Sequence, residues 1–259
     1  MSIAPLLQAK ALSKHFGGLQ AVQNVDLTVA AGEVVGLIGP NGAGKTTLFN
    51  MLAGSMAPSS GQLLVDGEDC TGASAHQMAQ RGMARTFQIT SVFAGLSVWD
   101  NVFAATYRHQ HAHWLSAFFQ SRYYQAEQAQ MQQRTEDALR SAHLLHRRHD
   151  SAQSLPYGEQ RKLEIAIALA CAPRLLLLDE PAAGMNPEEG MKLVQLIRSL
   201  SEQGMAVLLV EHHMRVVMGV CDRVVVINSG EKIAEGSPQE VVQHPEVVRV
   251  YLGREAVHA

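Results

Sequence analysis

Gly39-Pro40-Asn41-Gly42-Ala43-Gly44-Lys45-Thr46 is the stretch on which the reading of this chain turns. It fits the phosphate-binding pattern G-x-x-x-x-G-K-[ST] at every fixed position. Glycines let a backbone fold around an anion with its N–H groups turned inward. A helix behind such a loop adds unpaired N–H groups and the positive end of its dipole. Lys45 can then reach the β- and γ-phosphates of a nucleotide, and the Thr46 hydroxyl can bind Mg²⁺. A merely structural glycine turn would leave Lys45-Thr46 without a reason. The flanks agree: apolar Val34–Ile38 reads as a buried strand, and Lys45–Leu52 as a helix.

The complement lies far downstream, in Leu175-Leu176-Leu177-Leu178-Asp179-Glu180-Pro181. A buried strand there delivers two carboxylates to its exposed end. By itself such a pair is most often a solvated turn. Beside a phosphate loop, Asp179 is placed to hold Mg²⁺ with Thr46 and water, and Glu180 to orient and deprotonate the attacking water. Further on, a helix from about Pro187 to Gln203 ends at Gly204, a C-cap. The strand Val207–Val210, another helix and the strand Val224–Asn228 follow. Buried strands alternating with helices predict an α/β fold with a mainly parallel sheet. From about Ile89 to Gln160 the sequence is polar, Gln-rich and helical, an insertion into that core. The expected organisation is therefore a nucleotide-binding core of residues 1–88 and 161–240, a helical subdomain 89–160, and a C-terminal helix and tail 241–259.

Composition sets the outer bounds. The chain has 259 residues, 47% hydrophobic and 17% charged, a globular balance. A net charge of -3 gives no general pull toward nucleic acid or anionic lipid. No run approaches the ~20 apolar residues of a membrane span. The start MSIAPLLQAK lacks the basic and apolar regions of a leader, so a cytoplasmic location is expected. Cys70, Cys171 and Cys221 are scattered and read as reduced, buried thiols.

With Ser154–Ala166, SLPYGEQRKLEIA, the chain resembles the ATP-binding subunits of ABC transporters. The resemblance implies the ABC ATPase fold: a P-loop NTPase core, an N-terminal antiparallel β subdomain and the inserted helical subdomain. It implies ATP and Mg²⁺ as ligands, and a dimer in which the P-loop of one subunit and the signature of the other sandwich each ATP. Nucleotide contacts would come from Phe16, stacking on adenine, and from Gly39, Pro40, Asn41, Gly42, Ala43, Gly44, Lys45, Thr46 and Thr47. The signature would comprise Leu155, Pro156, Tyr157, Gly158, Glu159 and Gln160. Pro156 stands where Ser is commonest and Tyr157 where Gly is commonest; Pro suits a helix's first turn because it has no N–H to leave unpaired. Gln88 matches the residue that senses Mg²⁺ and water, and His212 the switch residue at the γ-phosphate, with His213 on the surface. Ala182–Pro187 matches the loop that crosses the dimer interface.

Within the family, stretches such as Phe16–Val22, Arg85–Gln88, Tyr157–Arg161, Asp179–Pro187 and Tyr251–Gly253 are similar to the ATPases of branched-chain amino acid importers. That branch implies a related or identical ATPase partner, two membrane permease subunits, a periplasmic or extracellular solute-binding protein, and a peripheral place on the cytoplasmic face of the plasma membrane. The core motifs equally suit an exporter ATPase, for example for a lipid. A soluble cassette ATPase acting on ribosomes or DNA is a further, less favoured alternative: such proteins usually carry two cassettes or a long coiled-coil insertion, and this sequence has one cassette and neither heptads nor a basic arm.

Two weaker signals remain. His109, His111 and His113 alternate, as metal ligands on a strand would, but in a helical segment alternate residues do not share a face, and a polar surface loop is expected. Val92, Phe93, Leu96, Val98 and Trp99 are either core or the surface that receives a helix of the membrane subunit.

Overall fold

The structure, a computed structural model, describes residues 5–86, 92–109 and 122–255. The chain forms two compact units: Met1–Arg85 with Arg174–Ala183 and Gly190–Ala259, and Thr86–Pro173 with Gly184–Glu189.

The first unit opens with the hairpin β1 (Leu7–Phe16) and β2 (Leu19–Val29), then β3 (Val34–Ile38) and α1 (Lys45–Leu52). β4 (Ser60–Val65), β5 (Glu68–Asp69), α2 (Ala75–Gln80) and β6 (Met83–Arg85) follow. The second unit is built on α3 (Val98–Thr106), α4 (Arg122–Ser141) and α5 (Tyr157–Ala170). The chain then returns through β7 (Leu175–Asp179), α6 (Pro187–Glu202), β8 (Ala206–Val210), α7 (Met214–Val220), β9 (Arg223–Asn228), β10 (Glu231–Gly236), α8 (Pro238–Gln243) and α9 (Pro245–Glu255).

Two sheets organise the first unit. One is four-stranded and antiparallel, in the order β2-β1-β4-β5. The other has six strands in the order β10-β9-β3-β8-β7-β6. Its strands are parallel except β10, which turns back antiparallel on β9. All residues of β3, β7 and β8 are buried. Strands hidden on both faces are apolar along their length, which is why these three stood out as apolar runs; the exception, Asp179 at the end of β7, is paired with Arg85. Each of Leu175–Leu178 is at most 1% exposed, a burial that contributes about 1.5–3 kcal/mol per side chain.

The second unit owes its stability to an apolar cluster shared by its three helices. Val98 and Val102 of α3, Leu139 of α4, and Leu163 and Ala166 of α5 belong to it, as does Leu155 just before α5. The Gln-rich α4 is amphipathic: Met131, Thr135, Ala138 and Leu139 are buried at helical spacing, as is Ala142 just past its end. This unit continues to Pro173 rather than stopping at residue 160, because α5 is one helix packed along its length on α3 and α4. The apolar residues after position 91 divide. Val98 is core, Val92 and Trp99 pack against it, and Phe93 and Leu96 are exposed. Buried Asn101 pins this stretch, accepting from the Phe93 N–H at 2.8 Å and donating to the Phe93 and Ser97 carbonyls.

The stretch 241–259, expected as a helix and tail, begins inside α8 and contains α9. Ser237 and Glu240 close a reciprocal cap around α8, with Pro238 in its first turn. Pro245 then starts α9. Among the described residues no helix is long and apolar enough to cross a membrane. His111 and His113 lie outside the described residues.

Candidate nucleotide-binding site

β3 delivers the chain directly to Gly39. The loop closes at Gly44, whose φ of 99° is left-handed. A Cβ at Gly44 would stand 2.3 Å from the Ala21 carbonyl oxygen, so glycine alone fits. α1 begins at the next residue, and no side chain caps its start. Its first N–H groups and dipole end therefore favour an anion. The loop forms a cleft of about 580 Å³ lined by residues 41–47, with Phe16 and Glu180 also on its wall. Lys45 is buried, its Nζ donating to the Gly39 carbonyl at 2.7 Å and the Pro40 carbonyl at 3.0 Å. Thr46 is exposed and Thr47 half-buried. Phe16, at the end of β1, is 46% exposed with the Lys14 ammonium 5.3 Å from its ring centroid. It is a rim residue, not a core one.

The end of β7 supplies the carboxylates. Asp179 is buried and accepts a hydrogen bond from Arg85 Nη2 at 3.1 Å. Arg85 in turn donates to Asn50 Oδ1 at 2.6 Å and lies 4.8 Å over the Phe49 ring. Glu180 carries a left-handed φ of 47°, while its N–H donates to the Val210 carbonyl at 2.9 Å. A non-glycine residue in this region costs about 1–3 kcal/mol, and such strain collects at functional sites. His212 Nδ1 stands 3.7 Å from Glu180 Oε1, with both side chains partly exposed.

Two residues organise this end of the site without standing out in the sequence. Arg85 is the counter-charge of Asp179. Glu211, 1% exposed, accepts from the Ala182 N–H at 3.1 Å and from the His212 and His213 N–H groups at 2.7 and 2.9 Å. His213 is exposed as expected, yet its Nδ1 lies 3.2 Å from the same carboxylate. Arg85 stands in the Arg85–Gln88 stretch and Glu211 directly before His212, but nothing in a linear pattern shows that a charge is buried. The last helix also reaches the loop. Burial pushes the Tyr251 phenol above its ordinary value, with the Gly39 backbone opposing. Gln88 lies outside the described residues.

The signature residues belong to the second unit. Leu155 is core. Pro156 is the N-cap of α5, one place before the first turn expected for it, and makes no side-chain cap. Its carbonyl accepts from the Glu159 and Gln160 N–H groups, and Gln160 Nε2 donates to the Leu155 carbonyl at 2.9 Å. Glu159 faces Arg147 at 3.3 Å. Tyr157 and Gly158 form the first turn of α5.

A phosphate loop on a mainly parallel sheet, with an Asp-Glu pair at the end of a neighbouring strand, defines a nucleotide hydrolase of the P-loop class. The family model for ABC transporters matches residues 22–183, and that for branched-chain amino acid ATP-binding cassette transporters matches residues 231–257. The chain belongs to the ATP-binding cassette family of ABC transporters, ATP-binding proteins whose ATPase activity powers transport. It is 41% identical to the high-affinity branched-chain amino acid transport ATP-binding protein BraF of Pseudomonas aeruginosa, over 96% of this chain and 98% of that one. It is 40% identical to LivG of Escherichia coli K12, which carries the same description, over 96% and 98% of the two chains. The lipopolysaccharide export ATP-binding protein LptB of the same strain is 39% identical, again over 96% and 98%. Among solved structures, an ATP-binding cassette of an ABC transporter in its ADP conformation superposes with a TM-score of 0.84 at 27% identity, covering 96% of this chain and 99% of that one. A nucleotide-free cassette gives 0.82 at 27%, covering 95% and 98%.

Proposed function

We propose that this chain is the ATP-hydrolysing subunit of an importer of branched-chain or related amino acids. The match of residues 231–257 to the branched-chain family model carries the reading, supported by BraF and LivG. The cassette acts as a dimer with an identical or related ATPase, on the cytoplasmic face of the plasma membrane. Two permease subunits and a solute-binding protein complete the transporter.

The chemistry is positioning and charge stabilisation. Backbone N–H groups of residues 41–47 and the Lys45 ammonium hold the phosphates, with Phe16 against the base. Lys45 leaves the Gly39 and Pro40 carbonyls to do so. The exposed Thr46 hydroxyl and the Asp179 carboxylate are hard oxygen donors that suit Mg²⁺. They would hold the ion, Asp179 through water and together with Gln88, and it would neutralise phosphate charge when bound. Glu180 orients and deprotonates water, and His212 senses the γ-phosphate. Leu155–Gln160 contact the ATP held by the partner's P-loop.

Lys45→Ala should weaken ATP binding about 10- to 100-fold, the worth of a hydrogen bond to a charged group. Titration with a fluorescent ATP analogue measures it, and unchanged affinity removes Lys45 from the phosphate site. The transport reading is tested by deleting the chain from its host: uptake of labelled leucine or a related solute should fall to background. Uptake unchanged across a solute panel, with lipid export impaired instead, would give the exporter reading that the LptB relationship keeps open.

A further inference from the structure

Tyr157 occupies the place where the signature most often has a residue with no side chain. Its ring lies against Gly184. A Cβ at Gly184 would stand 3.0 Å from Tyr157 Cε1 and 3.3 Å from the phenol oxygen, and the φ of 76° there is left-handed. The phenol oxygen accepts two hydrogen bonds from Arg161, from Nε at 3.1 Å and Nη2 at 2.9 Å. The remaining guanidinium nitrogen, Nη1, donates to Glu164 Oε2 at 2.9 Å. Arg161 and Glu164 side chains are only 13% and 7% exposed. The second Glu164 oxygen is buried without a hydrogen-bond partner. Burial pushes the Glu164 carboxyl up, with Arg161 opposing. A half-satisfied buried carboxylate is costly. On a helix whose neighbouring positions Leu163, Ile165 and Ala166 are buried and apolar, its evident work is to hold Arg161.

One residue further on, Gly158 faces the same loop: a Cβ there would meet Glu189 Oε1 at 2.7 Å. Glu189 is fixed in turn by reciprocal bonds with Asn186, at 3.0 and 2.9 Å. The segment 184–189, a loop that runs into the first turn of α6, therefore rests on the first turn of α5 at two points, and both belong to the same compact unit.

We propose that Tyr157 is a positioning residue: gripped by Arg161 and Glu164, its ring clamps the 184–189 loop to the start of the signature helix, so that the two move as one body. The functional weight of the clamp rests on the reading above, in which both segments act in an ATP-bound dimer. The clamp itself does not. A glycine at 157 leaves signature and loop free to move separately, whereas this chain ties them through a side chain. The loop begins four residues after Glu180 in sequence, so the tie also fixes the far end of the segment leaving the catalytic strand.

Hydrogen exchange and ATP turnover together test this, on Tyr157→Phe, which keeps the ring and loses the acceptor, and on Arg161→Met. In each variant the Asn186 and Glu189 amides should exchange about three- to tenfold faster than in the wild type, the worth of one net hydrogen bond. Amides of α4 should not change. In the assembled ATPase kcat should fall by a similar factor, in Arg161→Met with KM for ATP unchanged, and the double variant should be no worse than either single one. Unchanged exchange at Asn186 and Glu189 would overturn the clamp. Faster exchange with wild-type kcat would overturn its role in turnover. A wild-type chain that hydrolyses no ATP with any partner would instead count against the function proposed above, and the exchange measurement would still decide the clamp.

Discussion

Glu180→Gln, assembled with its partner subunits, should hydrolyse ATP about 10²–10⁴-fold more slowly than the wild type, the usual worth of a positioned general base, while still binding ATP. Glutamine has the shape of glutamate and keeps a hydrogen-bonding oxygen, but cannot accept a proton from water at neutral pH. The backbone at this position is held independently of the side chain, by the Glu180 N–H to Val210 hydrogen bond and the left-handed φ. The substitution therefore leaves the loop conformation in place and removes only the base. Single-turnover hydrolysis beside nucleotide titration separates the two effects. Turnover within twofold of wild type would assign the base elsewhere, and lost binding would assign Glu180 to the nucleotide pocket.

The second large effect is on stability. Arg85→Met should lower the unfolding free energy by about 3–5 kcal/mol, the cost of removing one partner of a buried ion pair. The Asp179 side chain is 2% exposed and that of Arg85 16%, so solvent screens the pair little. Methionine retains the packing on Phe49 that the guanidinium now provides, which isolates the charge. The urea midpoint reports the loss. Because Mg²⁺ would offer Asp179 another counter-charge, adding Mg²⁺ should raise the midpoint of Arg85→Met more than that of the wild type. Equal midpoints for the two proteins in metal-free buffer would show that Asp179 does not depend on Arg85.

What could be read from the sequence, and what could not, follows from how each feature is encoded. The phosphate loop is contiguous, and its demands fall on backbone conformation, so Gly44 and Lys45 announce themselves in the chain. β3, β7 and β8 are hidden on both faces and stand out as apolar runs. Glu180 and Asp179 were legible because they end such a run. The Arg85–Asp179 pair was not, since its members come together only when β6 pairs with β7. Glu211 looks in sequence like any acidic residue after a strand, and only the fold shows it buried and taking three backbone N–H groups. The end of the helical unit was placed too early because polarity fades within α5 while the helix runs on to Ala170. The departures at Pro156 and Tyr157 were visible as letters; that Tyr157 reaches Gly184 was not.

The place of β3 in its sheet also governs when the protein can become functional as it is made. β3 ends at Ile38, yet its two neighbours are β8 and β9, which finish at Val210 and Asn228. Contacts this distant in sequence are slow to form because a long loop must close before they repay its entropy. On the ribosome the phosphate loop is synthesised early but keeps both flanks of its supporting strand unpaired until most of the chain has emerged. An exposed pair of apolar strand edges is an aggregation hazard for that interval. Nucleotide binding is thus a late event in the life of the nascent chain, and it reports that the six-stranded sheet has closed around its central strand.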